Sequence, residues 1–250
     1  MMPGPKEFRQ DIRQARHHVW AKLALILLTG CGFILAIPFF IGEEWIVAAV
    51  MTAIAVVSVL VLVCIDRREK RMRREATQYY TLPLPRALDY ETVCAAVCAA
   101  SGVQWTQVCD ENAKACRIGG TLSWRILLLH QPDFSRTAYK AQRERANRAV
   151  NRVHPALQKV SQLEVSSMVR INLVVCGAMN EELSRYSSTH AQRLLMRNEC
   201  IVNMAVVGDC LLVPPVRGAD VAIPDLTRYE RSVDLIWSQL CRLSAESKTN

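Results

Sequence analysis

Two uninterrupted apolar runs, residues 23–41 and 45–65, stand apart from the rest of the chain. Neither contains a charged side chain, and only Gly42, Glu43 and Glu44 separate them. A hydrocarbon core about 30 Å thick is crossed by roughly 20 residues of α-helix, so each run is long enough to cross. Three residues can reverse the chain and no more, which predicts an antiparallel hairpin with every backbone group satisfied inside its own helix. A cleaved signal peptide fits the first run poorly. The region before it exceeds twenty residues, the apolar stretch is longer than an ordinary h-region, and no small-x-small site precedes the turn.

The flanks predict orientation. Lys6, Arg9, Arg13, Arg16 and Lys22 precede the first run, and Arg67, Arg68, Lys70, Arg71, Arg73 and Arg74 follow the second, whereas the turn is acidic. The positive-inside bias then leaves both termini cytoplasmic and faces the turn outward, with Trp20 and Trp45 at the interfaces. The short hairpin and turn fit an inner (plasma) membrane. Neither run holds an ionisable group other than cysteine, and two helices cannot enclose a pore, so transport by this chain alone is excluded. Gly30, Gly32, Ala49 and Ala53 offer small surfaces for close helix contact, within the hairpin or with another copy.

After residue 65 the pattern changes. Residues 66–77 read as a charged helical extension of the second span and 82–85, Leu-Pro-Leu-Pro, as an extended linker. The organisation expected is therefore a basic juxtamembrane segment at 1–22, the hairpin at 23–65, a charged helix and Pro linker at 66–85, and a cytosolic domain at 86–250. Asp89 can cap a helix whose stripe includes Tyr90, Val93 and Val97. Strands follow at 103–109, 114–118 and 121–130, joined by polar turns as an antiparallel meander. Ser135 opens a long helix through Val160 with Tyr139, Gln142, Ala146, Ala149 and Val153 on one face, and Pro155 should kink it. A strand at 168–176, a helix capped by Asn180, a second helix from Ser188 or Thr189 to Arg197, a hairpin around Gly208-Asp209, and a last helix capped by Asp225 complete the chain. That order predicts an α+β domain with a mixed, mainly antiparallel sheet packed by helices.

Composition adds constraints. The 250 residues carry a formal net charge of +8, about half of it in the first 75, so the basicity is partly a topology signal. Ten cysteines invite a search for metal or redox spacing, but no C-x-x-C occurs. Cys94 and Cys98 fall on one apolar helical stripe as small hydrophobes. Reduced thiols are the rule in the cytosol, so no disulfide framework is expected. Phosphate-loop and dinucleotide fingerprints are absent.

Two stretches could carry chemistry. His130 and Asp133 lie where a strand gives way to a loop, a common place for an acid-base pair, although a strand terminator and polar helix start explain them more simply and no nucleophile stands beside them. Asp110, Glu111, Asp209, Glu181 and Glu182 suit turns and a helix N-terminus better than a metal, and no metal or cofactor is expected. Arg136, Lys140, Arg143, Arg145, Arg148 and Arg152 make the long helix strongly basic, with Glu144 its one acidic residue. Such a face binds an anionic lipid surface, or less readily nucleic acid, or is simply solvated. The leading expectation is a membrane-anchored binding or regulatory module that engages a protein partner, lipid or its own copies. The alternatives are a tethered hydrolase or nuclease using His130 and Asp133, and an accessory subunit of a larger membrane complex.

Overall fold

In the computed structural model, residues 4–42, 44–75, 79–101, 106–110, 113–118, 123–153, 168–189, 192–194, 199–216 and 223–246 are described. Two long helices open the chain, α1 (Pro5–Ile41) and α2 (Trp45–Glu75). Both contain stretches long and apolar enough to cross a membrane, with little of that surface buried inside the protein. They pack side by side along a seam of 3.5-residue period. Leu25, Thr29, Gly32, Ala36 and Phe39 face Ala48, Met51, Ala55 and Ser58, and every residue of the seam is at least partly covered. That period is the knobs-into-holes repeat of paired helices. The contact is closest at Gly32, where an added Cβ would stand 3.2 Å from the Cβ of Ala55. Of the small residues expected at this contact, Gly32 is buried, whereas Gly30, Ala49 and Ala53 face outward. Ala36, Ala48 and Ala55 take their place because they share the seam's register. Thr29, Thr52 and Ser58 donate their hydroxyls to carbonyls four residues back, at 2.8–2.9 Å, so these three side chains are satisfied within their own helices.

The rest of the chain builds one sheet from β1 (Tyr80–Pro83), β2 (Thr106–Asp110), β3 (Ala113–Ile118), β4 (Ser123–His130), β5 (Met168–Cys176), β6 (Gln192–Leu194), β7 (Glu199–Val207) and β8 (Cys210–Val213). The order is β1-β8-β7-β5-β4-β3-β2, with β6 added beside β7. Among the described residues only β4–β5 and β5–β7 pair in parallel, so the sheet is mixed and mainly antiparallel as the element order implies. The meander β2-β3-β4 forms as expected. β5 is central and covered on both faces, which explains its almost continuous apolar run.

Helices cover both faces. On one, α3 (Tyr90–Ser101) and α6 (Ile223–Glu246) bury Val93, Val97, Tyr229, Val233, Ile236 and Leu240 against Ile126, Leu128, Ile171, Leu173 and Met204. On the other, α4 (Arg136–Val153) and α5 (Glu181–Ser187) lay Tyr139, Ala146, Leu183 and Tyr186 on Leu127, Leu129, Val174 and Ala205. α3 is capped as expected, with Asp89 Oδ1 accepting from the Thr92 N–H at 2.8 Å. Hydrogen bonding from the Thr92 side chain, and then from its N–H, holds the Asp89 carboxyl below its usual value of 3.8. A folded-state value below the unfolded one means that the cap's contribution is present at neutral pH and is lost as pH falls through and below 3.8. Asp89→Ala is expected to cost about 1 kcal/mol at pH 7. Asp89→Asn should retain most of the cap while removing its acid sensitivity, as read by thermal melts at neutral and acidic pH.

Three elements differ from expectation. Residues 80–83, read as part of a linker, pair with β8 from Tyr80 opposite Val213 to Pro83 opposite Cys210. Polyproline and strand backbones are both extended, and a proline is tolerated on an edge strand. The helix expected from Ser188 or Thr189 is instead the strand β6 at Gln192–Leu194, with 190–191 and 195–198 outside the described residues. Ser188 and Thr189 close α5 rather than open a new helix, since their hydroxyls bond back to the Ser184 and Arg185 carbonyls at 2.6 and 3.1 Å. α4 is described to Val153, and the expected continuation past Pro155 lies outside the described residues.

The largest difference concerns the N-terminal segment. Its first turns, expected as a basic flank, lie in the core of the sheet domain. Phe8 and Ile12 are each 1% exposed, and Phe8 meets the Tyr80 ring edge-on at 5.2 Å. The Tyr80 hydroxyl donates to Asp11 Oδ2 at 2.6 Å. Arg9 bridges Glu230 and Asp234 on α6, and Arg16 reaches Glu230 at 2.8 Å. One continuous helix therefore carries domain core at its start and bare apolar surface at its end.

Candidate functional site

His130 ends β4, and its ring stacks on Tyr90 of α3 at 4.8 Å with 12° between planes. Asp133 is exposed in the bend that follows. The loop between β4 and α4 is stitched to the one between β5 and α5. Gln131 N–H donates to the Val175 carbonyl, Gly177 N–H to the Pro132 carbonyl, and Asn180 Nδ2 to the Phe134 carbonyl, each at 2.9 Å. A Cβ on Gly177 would stand 3.3 Å from the Pro132 oxygen, so any larger residue would have to displace that carbonyl by a few tenths of an ångström. Gln131 also donates to Gln142 of α4 at 3.0 Å, and the Arg136 N–H to Glu182 at 2.7 Å. The junction is thus fixed, with His130 directed to the α3 face and the basic helix α4 on the opposite face of the sheet.

The other acidic candidates stay dispersed. Glu181 and Glu182 occupy the first turn of α5, which Asn180 caps through the Leu183 N–H at 2.8 Å. Asp209 sits in the β7–β8 turn, where Gly208 takes a φ of +56°. Asp110 ends β2, and Glu111 lies outside the described residues. Among the described residues, no group of three or more His, Cys, Asp or Glu side chains could hold a metal. Cys176 is buried, which pushes its thiol up to about 12 and makes it a poor nucleophile.

On α4, Tyr139, Gln142 and Ala146 face the sheet. Arg136, Lys140, Arg145 and Arg148 are exposed, and Arg143 is half-covered over the Tyr139 ring at 5.5 Å. Arg152 belongs to the same helix. At 100° per residue these cations are spread around the whole outer circumference rather than gathered in a stripe.

Beneath α4 lies a polar cluster that pattern reading missed. Asn172 of β5, only 1% exposed, donates to Asn203 of β7 at 2.8 Å, while its own carboxamide oxygen is buried without a hydrogen bond. Tyr186 of α5 donates to the Asn172 carbonyl at 3.0 Å, and its ring meets that of Tyr139 at 5.0 Å. The Tyr139 hydroxyl is buried, with the Tyr186 and Arg143 side chains as its polar neighbours. Burial raises its pKa, against the pull of the Tyr186 and Arg143 side chains and of the Arg170 charge. The sequence signal was present: a lone asparagine and a lone arginine interrupt the apolar run of β5. Polar residues in a doubly covered strand need a structural or binding reason.

No protein-family model, curated protein or solved structure matches the chain.

Proposed function

We propose that the chain is a membrane-anchored cytosolic binding module, with α1 and α2 as a transmembrane hairpin and both termini on the cytoplasmic side. One observation carries the reading. Among the described residues, every exposed large hydrophobic side chain except Met179 falls between Trp20 and Val63. A continuous apolar surface of that extent is unsuited to water and matches a bilayer. At about 1.5 Å per residue, the 37 residues of α1 exceed the hydrocarbon thickness by several turns. Those extra turns are the ones that enter the domain core. The basic flanks on both sides of the pair support the cytoplasmic placement, and the domain's fixed junctions and dispersed acidic groups support binding rather than turnover.

The test is accessibility to a membrane-impermeant maleimide in intact cells. Glu44→Cys is expected to label from outside and Lys6→Cys only after lysis. Release of the protein by alkaline carbonate, or labelling of Lys6→Cys in intact cells, would overturn the reading.

A further inference from the structure

The seam between α1 and α2 continues past the apolar runs, with Lys22, Leu62 and Ile65 each partly covered on its register. Phe8 and Ile12 sit in the domain core, so residues 13–22 of α1 and 66–75 of α2 form a two-helix stalk about 15 Å long between bilayer and domain. Gly32 faces Ala55 and the helices are antiparallel, so each step back on α1 is matched by a step forward on α2. Lys22 is thereby level with Ile65, and Trp20 with Arg67. Arg67 and Arg68 stand about 3 and 4.5 Å beyond Ile65, the last residue of the apolar run. A headgroup layer is roughly 5–8 Å deep on each side of the hydrocarbon, so both guanidinium groups are within reach of its phosphates.

Both arginines are exposed, and among the described residues neither engages a carboxylate. Their neighbours differ. Arg16 is held by Glu230 at 2.8 Å, and Lys22, Asp66 and Arg71 have partners of their own. Asp66 and Glu69 are the acidic residues of the stretch 66–71, outnumbered there by Arg67, Arg68, Lys70 and Arg71. Trp20, 58% exposed at the same depth on the other helix, suits the headgroup interface. Orientation of a hairpin needs only an excess of positive charge on one side of the membrane. It does not need two adjacent unpaired arginines, carried at headgroup depth on a helix that is packed against one anchored in a folded domain. Guanidinium forks match pairs of phosphate oxygens.

We propose that Arg67 and Arg68 select anionic phospholipid headgroups from the leaflet on the domain's side of the bilayer. The proposal rests on the reading of α1 and α2 as a transmembrane hairpin and deepens it by naming the lipid that the hairpin recruits. Electron spin resonance of the full chain in phosphatidylcholine, doped with spin-labelled phosphatidylcholine or spin-labelled phosphatidylglycerol, tests both. A motionally restricted component is expected with either label, larger for phosphatidylglycerol, and the difference should shrink as salt is raised. Arg67→Gln with Arg68→Gln is expected to lower that preference by up to about fivefold for each charge removed. Glutamine is a good helix former, so the exposed positions keep their fold. Arg145→Gln with Arg148→Gln on α4 should leave the preference in place. Equal restriction of both labels by the wild type leaves the arginines to an acidic protein partner and overturns the proposal. So does a preference that survives in the stalk variant, or one lost as fully from the α4 variant. A restricted component absent with both labels overturns the hairpin, and the proposal with it, whereas equal restriction overturns the lipid selection alone.

Discussion

A chain beginning at Arg86 is expected to lose its cooperative thermal transition, although it contains seven of the eight strands and four of the six helices described. Three losses combine. Without β1, the strand β8 becomes an unprotected edge, and the buried Tyr80, Leu82 and Leu84 leave the core. Without the first turns of α1, Phe8 and Ile12 leave a hole beside Tyr229, whose ring lies 6.1 Å from that of Phe8. The Asp11–Tyr80 bond and the Arg9 and Arg16 pairs to α6 go with them. The ion pairs matter least, since Arg9 is 43% exposed and such pairs contribute about 0–1 kcal/mol each. The apolar contacts decide the outcome. Phe8→Ala alone in the full chain is expected to cost about 3–5 kcal/mol, against a total stability of roughly 5–15 kcal/mol for an ordinary domain. Circular-dichroism melts and limited proteolysis of both proteins measure this. A sharp transition for the shortened chain, within a few degrees of the full chain, would show that α1 is a passenger on the domain.

This dependence shows where pattern reading reaches and where it stops. Elements announced by a local rule are recovered: the apolar helices by length, the β2-β3-β4 meander by alternation between turns, and α5 by its asparagine cap. Phe8 and Ile12 could not be placed in the core because four basic residues surround them within residues 6–16, and local polarity outweighed two apolar positions on one face. β1 was hidden by Pro83 and the Pro85 that follows it, and β6 by hydroxyls that serve equally at either end of a helix. The basic helix was legible, but its relation to His130 was not, because the side of the sheet on which a helix packs is a tertiary choice.

Gly32→Leu is expected to destabilise the helix pair by about 1–3 kcal/mol, whereas Gly30→Leu should change it by less than about 0.5 kcal/mol. The two glycines are two residues apart on α1 and face opposite ways. A Cβ at Gly32 would stand 3.2 Å from the Cβ of Ala55 and 3.3 Å from the Met51 carbonyl oxygen, so an isobutyl group must push α2 away. At Gly30 nothing lies within 4 Å of the added carbon. In the bilayer proposed above, the lost contacts would not be recovered by hydrophobic burial, because the tails are as apolar as the helices, and close packing would be what holds the pair together. Displacing α2 along a seam that repeats every seven residues separates Ala36 and Ala48 from their partners too, so the effect exceeds that of a single clash. Thermal unfolding of the full chain in mild detergent compares the variants. If Gly30→Leu proved as costly as Gly32→Leu, the outward face of α1 would be occupied as well, and size-exclusion chromatography of that variant would then show a smaller assembly than the wild type. If both were neutral, α1 and α2 would not be packed at Gly32, and the seam of Ala36, Ala48 and Ala55 would have to be abandoned as the contact that closes the hairpin.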